Sequence, residues 1–231
     1  MCSIRNFKAR ILYFCQMSSL TEENYLKTLY HKEQEANVSV KEIAKQLDIK
    51  MPTVNSMIKK LAEKKLVKYE KYKSIELTDL GRKKALSILR KHRLTELFLT
   101  QIMNLGWGQV HDIAEQIEHI QSELFFNRID EILGNPKFDP HGEPIPDKEG
   151  KLPSLKTITL SNGIPQQSYT LSGVNNNNAT LLSYLDKIGL AIHDTIEIKE
   201  IEPFDLSMTV LLNRKTETIF SAEICKCLLV I

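Results

Sequence analysis

The 231-residue chain carries 31 basic and 29 acidic side chains, a net charge of +2, and 42% apolar residues, which is ordinary for a soluble chain of two domains or a domain with an added module. No uninterrupted apolar stretch approaches the roughly 20 residues of a membrane span, which excludes an integral helical membrane protein. Charge is unevenly placed, with 6 basic and 8 acidic residues in 154–231 against 25 and 21 in 1–153, so nucleic acid is to be sought in the N-terminal part.

Residues 1–17 form an extension expected to be disordered, or the product of a misplaced start ahead of Met17: Arg5, Lys8 and Arg10 precede an apolar run too short for a signal peptide. Cys2, Cys15, Cys225 and Cys227 have no Cys-x-x-Cys spacing, and a reducing cytoplasm fits them; the last two are expected on one face of a strand. Ser19 or Thr21 supplies an N-cap ahead of Glu22 and Glu23, and Tyr25, Leu26, Leu29 and Tyr30 repeat as a helical stripe. Residues 39–47 make a short helix, 48–50 a turn, and 51–65 a second helix with Pro52 near its start and Val54, Ile58 and Leu61 on its inner face. Two short helices joined by a tight turn are the helix-turn-helix pattern. Residues 66–77 switch to strand periodicity, a hairpin turning near 71–74 that would serve as a wing. Ten lysines against four acidic residues between 41 and 73 make phosphate contact the expectation for this head.

A long helix starts at Thr78-Asp79-Leu80-Gly81 and reaches His92, and residues 94–105 are apolar on more than one side. After Gly106-Trp107-Gly108 comes a helix carrying His111, then Leu124, Phe125, Phe126, Ile129, Ile132 and Leu133. This surplus of apolar surface predicts a dimer interface. Residues 136–153, rich in Pro and Gly, read as a linker. Beyond them strands are expected at 155–160, 168–174, 195–201, 208–212 and 224–231, with a helix at 180–187 and a polar turn at 175–178, which together predict a small barrel.

Read as one helix at about 100° per residue, 111–119 brings His111, Glu115, Glu118 and His119 within roughly a 100° arc, with Ile113, Ile117 and Ile120 on other faces. His92 and Glu96, spaced i and i+4, also point one way. Imidazoles and carboxylates from two helices suit a divalent first-row metal with mixed N and O ligands. Two enzyme motifs fail by one residue each: Glu115 stands where a His-x-x-Glu-His zinc hydrolase needs its first His, and Gln116 where a di-iron Glu-x-x-His needs its Glu. The metal is therefore expected to be sensed rather than used, with no enzymatic activity and no small organic substrate.

The order of parts resembles the diphtheria toxin repressor family of metal-dependent transcriptional regulators. The resemblance covers about residues 18–231 and rests on the winged helix-turn-helix, Arg90-Lys91-His92-Arg93-Leu94-x-Glu96, Val110-His111-Asp112-x-x-Glu115-x-x-Glu118-His119 and Pro140-His141-Gly142-x-Pro144-Ile145-Pro146. It implies a mainly α chain with a small β part: a winged helix-turn-helix DNA-binding domain at 18–80, a helical metal-binding and dimerisation domain at 81–135, the linker at 136–153, and an SH3-like β-barrel, related to the ferrous-transport accessory fold, at 154–231. It also implies a cytoplasmic homodimer that binds operator DNA when Mn(II) or Fe(II) loads it and that represses metal-uptake genes. Glu115, Glu118 and His119 match the family's primary site, and His92, Glu96 and His111 its ancillary site. The iron-responsive branch has Cys where Glu115 stands and the manganese branch has Glu, so Mn(II) is favoured and Fe(II) is the alternative. The first-helix position that closes the primary site, Met or Asp in the family, is Asn24, whose amide oxygen can coordinate but brings no charge. Where barrel side chains complete the ancillary site in some members, residues 176–180 hold no acidic group, so none is assigned.

For DNA, Lys50, Pro52, Thr53 and Asn55 match recognition-helix positions facing bases and phosphates, with Asn55 suited to adenine and Pro52 to a thymine methyl. Lys59, Lys60, Lys71 and Lys73 would hold phosphates. The implied mechanism is a metal bridging the first helix to the His111 helix and so restricting the head to DNA-competent poses. The alternative without metal control is a winged-helix regulator in which these His and Glu residues are structural.

Overall fold

The computed structural model describes residues 19–33, 38–71, 73–175 and 178–231. The expectations for residues 1–17 and for part of the 175–178 turn fall outside them. Described residues up to Ile88 form one compact unit and Leu89–Ile231 a second. No helix among the described residues is long and apolar enough to cross a membrane.

In the first unit, α1 (Leu20–Lys32) is capped by Ser19, whose side chain accepts from Glu22 N at 3.3 Å. Helix α2 (Val40–Gln46) opens on a capping box of Ser39 and Glu42. The turn uses Asp48 at φ 51°, a left-handed conformation that Asp adopts more readily than most residues. Helix α3 (Met51–Glu63) then starts with Pro52 in its first turn, where the missing N–H leaves no hydrogen bond unmade. Its Val54, Ile58 and Leu61 are fully buried against Tyr25, Leu26 and Leu29 of α1 and Ile43 of α2. Each such side chain contributes about 1.5–3 kcal/mol of burial. Strands β1 (Val67–Lys68) and β2 (Glu76–Leu77) pair antiparallel as the expected wing, with Val67 opposite Leu77. Thr78 Oγ1 accepts from Gly81 N at 3.0 Å and starts α4 (Asp79–Gln101), one unbroken helix of 23 residues.

In the second unit, α5 (Trp107–Ile117) and α6 (Glu123–Ile132) follow. Leu94 and Leu97 of α4 pack with Phe126, Ile129 and Ile145. The Pro- and Gly-rich stretch 136–153 has no helix or strand but is strapped to α4: Arg90 donates to Pro146 O at 2.6 Å and Arg93 to Pro144 O at 2.5 Å.

The C-terminal sheet comprises β3 (Ile158–Thr159), β4 (Ser168–Val174), β5 (Thr195–Ile201), β6 (Met208–Leu212), β7 (Thr216–Phe220) and β8 (Leu228–Val230), in the order β3-β8-β4-β5-β6-β7. Every pair is antiparallel. Alternate residues Ile196, Ile198, Met208, Val210 and Leu212 enter one core with Leu171, Phe220 and Val230. Helix α7 (Ala179–Lys187) packs against α5, and Trp107 joins this core. The chain is thus helical through α6 and predominantly β-sheet after it.

Two sequence expectations are corrected and one strand is added. The strand expected at 224–231 is half helix: Ser221 caps α8 (Ala222–Cys227), and only Leu228–Val230 is extended, so Cys225 and Cys227 do not share a strand face. The strand expected at 155–160 shrinks to Ile158–Thr159 because Leu160–Asn162 forms a 3₁₀ turn. Strand β7 escaped detection because it is an edge strand in which only Phe220 is fully buried, leaving little apolar alternation.

Candidate metal centre and nucleic-acid interface

Helix α5 ends at Ile117, so the single ligand helix expected over 111–119 is one turn too long. Glu118 is its C-cap, still right-handed at φ −56° and ψ −22°, and fully buried, whereas His119 lies beyond the helix. The arc argument therefore holds through Glu118 and fails at His119. The His119 side chain reaches Glu118, with Nε2 3.6 Å from Oε1.

Helix α4 supplies the centre of the cluster. His92 Nδ1 lies 2.6 Å from Glu118 Oε2 and 3.9 Å from Glu115 Oε1. Its Nε2 lies 3.0 Å from Glu96 Oε1 and 3.2 Å from His111 Nδ1. His111 is in turn 3.2 Å from Glu96 and 3.7 Å from Glu115. Among the described residues, three sets of ligand atoms lie within 4.8 Å of one another: His92, Glu96 and His111; His92, Glu115 and Glu118; and Glu96, Asp139 and His141. The first set coincides with the expected ancillary ligands. The second brings together two of the expected primary ligands but holds His92 where His119 was expected. His119 enters none of the three.

Sequence reasoning missed the third set. Asp139 and His141 sit in the Pro140-containing turn, buried to 4% and 1% exposure; the Pro140-His141-Gly142 run reads as a loop and as part of the family resemblance, and neither reading singles out a ligand. Gly142 makes the turn possible at φ +82°, where an added Cβ would lie 1.9 Å from the Ser172 carbonyl oxygen.

Electrostatics reflect the crowding. Burial would raise the Glu96 carboxyl, but hydrogen bonds from His111 and His92 and the charges of His92 and His141 outweigh it and hold Glu96 well below the carboxylate range. Asp139 is pushed up by burial and by the nearby Glu96 and Glu143 carboxylates, against the pull of Arg93. Burial lowers His141 despite the Glu96 and Glu143 charges and the approach of the Trp107 backbone. The donor set is imidazole and carboxylate without thiolate, which suits a hard to borderline divalent ion. Asn24, on α1 in the first unit, has its amide oxygen buried without a hydrogen-bond partner.

On the head, Lys50, Pro52, Thr53, Lys59, Lys60, Lys71 and Lys73 are exposed. Asn55 is half-buried, and its Oδ1 accepts from Tyr69 Oη at 2.9 Å, a wing-to-helix link with no sequence signal. Lys60 is 2.9 Å and Lys64 2.7 Å from the buried Glu22 carboxylate. Burial would raise Glu22, but these two ammonium groups outweigh it and hold the carboxyl low. Lys73 pairs with Glu70 at 2.5 Å.

Residues 17–75 match the family described as iron dependent repressor, N-terminal DNA binding domain. Residues 78–147 match iron dependent repressor, metal binding and dimerisation domain, and 158–231 match the FeoA domain. The chain is 37% identical over 127 residues to the iron-dependent repressor IdeR of Mycobacterium tuberculosis, covering 54% of this chain and 55% of that protein. It thus spans about half the length of the mycobacterial relatives it matches. To the diphtheria toxin repressor of Corynebacterium diphtheriae it is 31% identical over 156 residues, covering 64% of this chain and 69% of that protein. Among solved structures, a manganese-dependent transcriptional repressor in complex with manganese superposes with a TM-score of 0.80 at 29% identity, covering 90% of this chain and 98% of that one. ScaR with bound Zn2+ superposes with a TM-score of 0.70 at 33% identity, covering 91% and 98%.

Proposed function

Because the chain belongs to the diphtheria toxin repressor family, we propose that it is a metal-activated transcriptional repressor acting on operator DNA as a cytoplasmic homodimer, with no enzymatic activity. The observation that carries this reading is the cluster in which the buried His92 reaches Glu96, His111, Glu115 and Glu118 within 4 Å. Mn(II) is the favoured ion: the donors are imidazoles and carboxylates, and the neighbour with the highest superposition quoted above is described as manganese-dependent. Fe(II) is the second reading, supported by the iron-dependent relatives.

A bound divalent ion would supply a fixed positive charge shared by these ligands. Glu115, Glu118 and His119, with His92 able to serve beside them, would form one site; His92, Glu96 and His111 the other. Asn24 is retained as a neutral oxygen donor on the strength of its unpaired amide oxygen. Loading requires neutral imidazoles, so it weakens as pH falls. Loading would raise the fraction of DNA-competent molecules, and with it the apparent affinity.

Lys50, Pro52, Thr53 and Asn55 would meet the recognition groove, and Lys59, Lys60, Lys71 and Lys73 the phosphates. Exposed Ile102, Met103, Ile120, Leu124, Phe125 and Ile132 on the helical part supply apolar surface for the homodimer. An SH3-like barrel for 154–231 is supported by the single core into which the strands point. Operator binding titrated side by side with Mn(II), Fe(II), Zn(II) and chelator tests the whole reading. Affinity should rise with the first two, and equal affinity in chelator and manganese would end it.

A further inference from the structure

The two oxygens of Glu96 serve different neighbours. Oε1 faces His92 Nε2 at 3.0 Å and His111 Nδ1 at 3.2 Å, while Oε2 lies 3.8 Å from His141 Nδ1 in the turn after α6. That turn is built so that Asp139 spends one oxygen on structure. Oδ1 accepts from His141 N at 2.8 Å and from Glu143 N at 2.9 Å, leaving Oδ2 buried and without a hydrogen bond, 3.7 Å from Arg93 Nε.

His141 repeats the pattern. It is 1% exposed, its ring stands edge-on to Trp107 with centroids 5.6 Å apart, and although the Trp107 backbone approaches it, neither ring nitrogen makes a well-formed hydrogen bond. Buried polar groups in folded chains are almost always satisfied, so two orphans facing one carboxylate call for a missing partner. The surroundings of Asp139 are also short of positive charge: the nearby Glu96 and Glu143 carboxylates oppose its ionisation, and the Arg93 guanidinium beside it binds Glu143 directly. Like charges buried in apolar surroundings need compensation to be tolerated.

We propose that Glu96 Oε2, Asp139 Oδ2 and His141 form a further divalent-cation subsite, so that the Glu96 carboxylate bridges this ion and the one held by His92 and His111. The inference rests on the metal-binding reading above and adds a site to it. The three ligand atoms lie within 4.8 Å of one another, and opposite ligands of an ion bound at about 2.1–2.4 Å stand about 4.2–4.8 Å apart. Two carboxylate oxygens and one imidazole are a hard to borderline donor set, matched to Mn(II) rather than to a thiophilic ion. Gly142 at φ +82° presses the turn against the Ser172 backbone, and Val174 N donates to His141 O at 2.7 Å. The imidazole is therefore held by backbone on one side and by Trp107 on another.

The test is Mn(II) stoichiometry on the full chain by equilibrium dialysis, with low-temperature electron paramagnetic resonance on the same samples. Asp139→Asn keeps the turn's Oδ1 acceptor and removes the ligand charge. His141→Phe keeps an aromatic ring against Trp107 and removes the nitrogens, and it carries the test alone should Asp139→Asn fail to fold. Each variant should bind one Mn(II) fewer per protomer than the unaltered chain and lose the signal of a spin-coupled pair. If all three bind the same number of ions with the same spectrum, the subsite is overturned while the metal-sensing reading stands. If none binds Mn(II), both fall.

Discussion

His92 Nδ1 stands 2.6 Å from Glu118 Oε2, joining the middle of α4 to the residue that ends α5. The opposite nitrogen of the same ring meets Glu96 and His111, so one imidazole belongs to two ligand sets. His92→Ala should therefore weaken Mn(II) binding at both. A tenfold loss is the least expected, since even outer-shell partners are typically worth about 10–100-fold in affinity. Isothermal titration with Mn(II) reads this directly; an unchanged isotherm would remove His92 from the centre.

The head makes a prediction that separates two lysines of the same helix. Lys60 is tied to the buried Glu22, whereas no ion pair is seen for the exposed Lys59 among the described residues. Each phosphate contact contributes about 0.9 to the slope of log affinity against log salt. Lys59→Ala should lower the slope by about that amount and Lys60→Ala by less. Fluorescence anisotropy with an operator duplex at several salt concentrations measures both, and equal changes would contradict the pinned role of Lys60.

Base reading should depend on the wing. Tyr69 Oη holds Asn55 Oδ1 at 2.9 Å, orienting an amide that could pair with adenine. Asn55→Ala should cost about 1–3 kcal/mol of discrimination at one base pair, and Tyr69→Phe a smaller amount at the same pair. Competition between matched and substituted duplexes is the measurement; loss spread evenly over all sequences would assign Asn55 to the backbone instead.

How far the sequence could be read follows from how local each feature is. The helix-turn-helix was legible because Val54, Ile58 and Leu61 repeat at helical spacing and Ser39 with Glu42 announces a helix start. His92 and Glu96 were legible for the same reason, both lying on one turn of α4. The end of α5 was not: nothing between Ile117 and His119 forbids another turn, and only the position of Glu118 against His92 shows where the helix stops. Asp139 and His141 were hidden by distance along the chain, since a loop residue becomes a neighbour of Glu96 only after α6 folds back and Ile145 enters the α4 core. Strand β7 was silent because four of its five residues face solvent at least in part.

Gly142 should not tolerate a side chain. At φ +82° an L-residue is strained by roughly 1–2 kcal/mol, and a Cβ would also lie 1.9 Å from the Ser172 carbonyl oxygen. Gly142→Ala should thus lower the thermal midpoint of the metal-free protein by at least several degrees, at about 2–4 °C per kcal/mol for a domain of this size. It should also displace His141, whose carbonyl receives Val174 N from the adjoining strand at 2.7 Å. Calorimetry in chelator checks the first effect, and a midpoint equal to that of the unaltered chain would mean the turn is free to move.

Cys225 provides a pH signature outside the metal centre. Its thiol is fully buried in the C-terminal core, and burial raises it to about 11 from an ordinary value of 9.0, its own backbone pulling the other way. A raised folded-state value means that the folded chain holds the proton more tightly than the unfolded one. This share of stability is complete below about pH 9 and is lost as the pH rises toward 11, because a thiolate would then be trapped among Leu160, Phe220 and Leu228. Tyrosines and lysines titrate in the same window, so the quantity to follow is the difference between the unaltered chain and Cys225→Ala. Denaturant midpoints of the two should converge between pH 9 and 11 after standing a constant interval apart at lower pH. A constant interval across the whole range would show that the Cys225 thiol titrates as it does in the unfolded chain, and that the core around α8 opens to solvent.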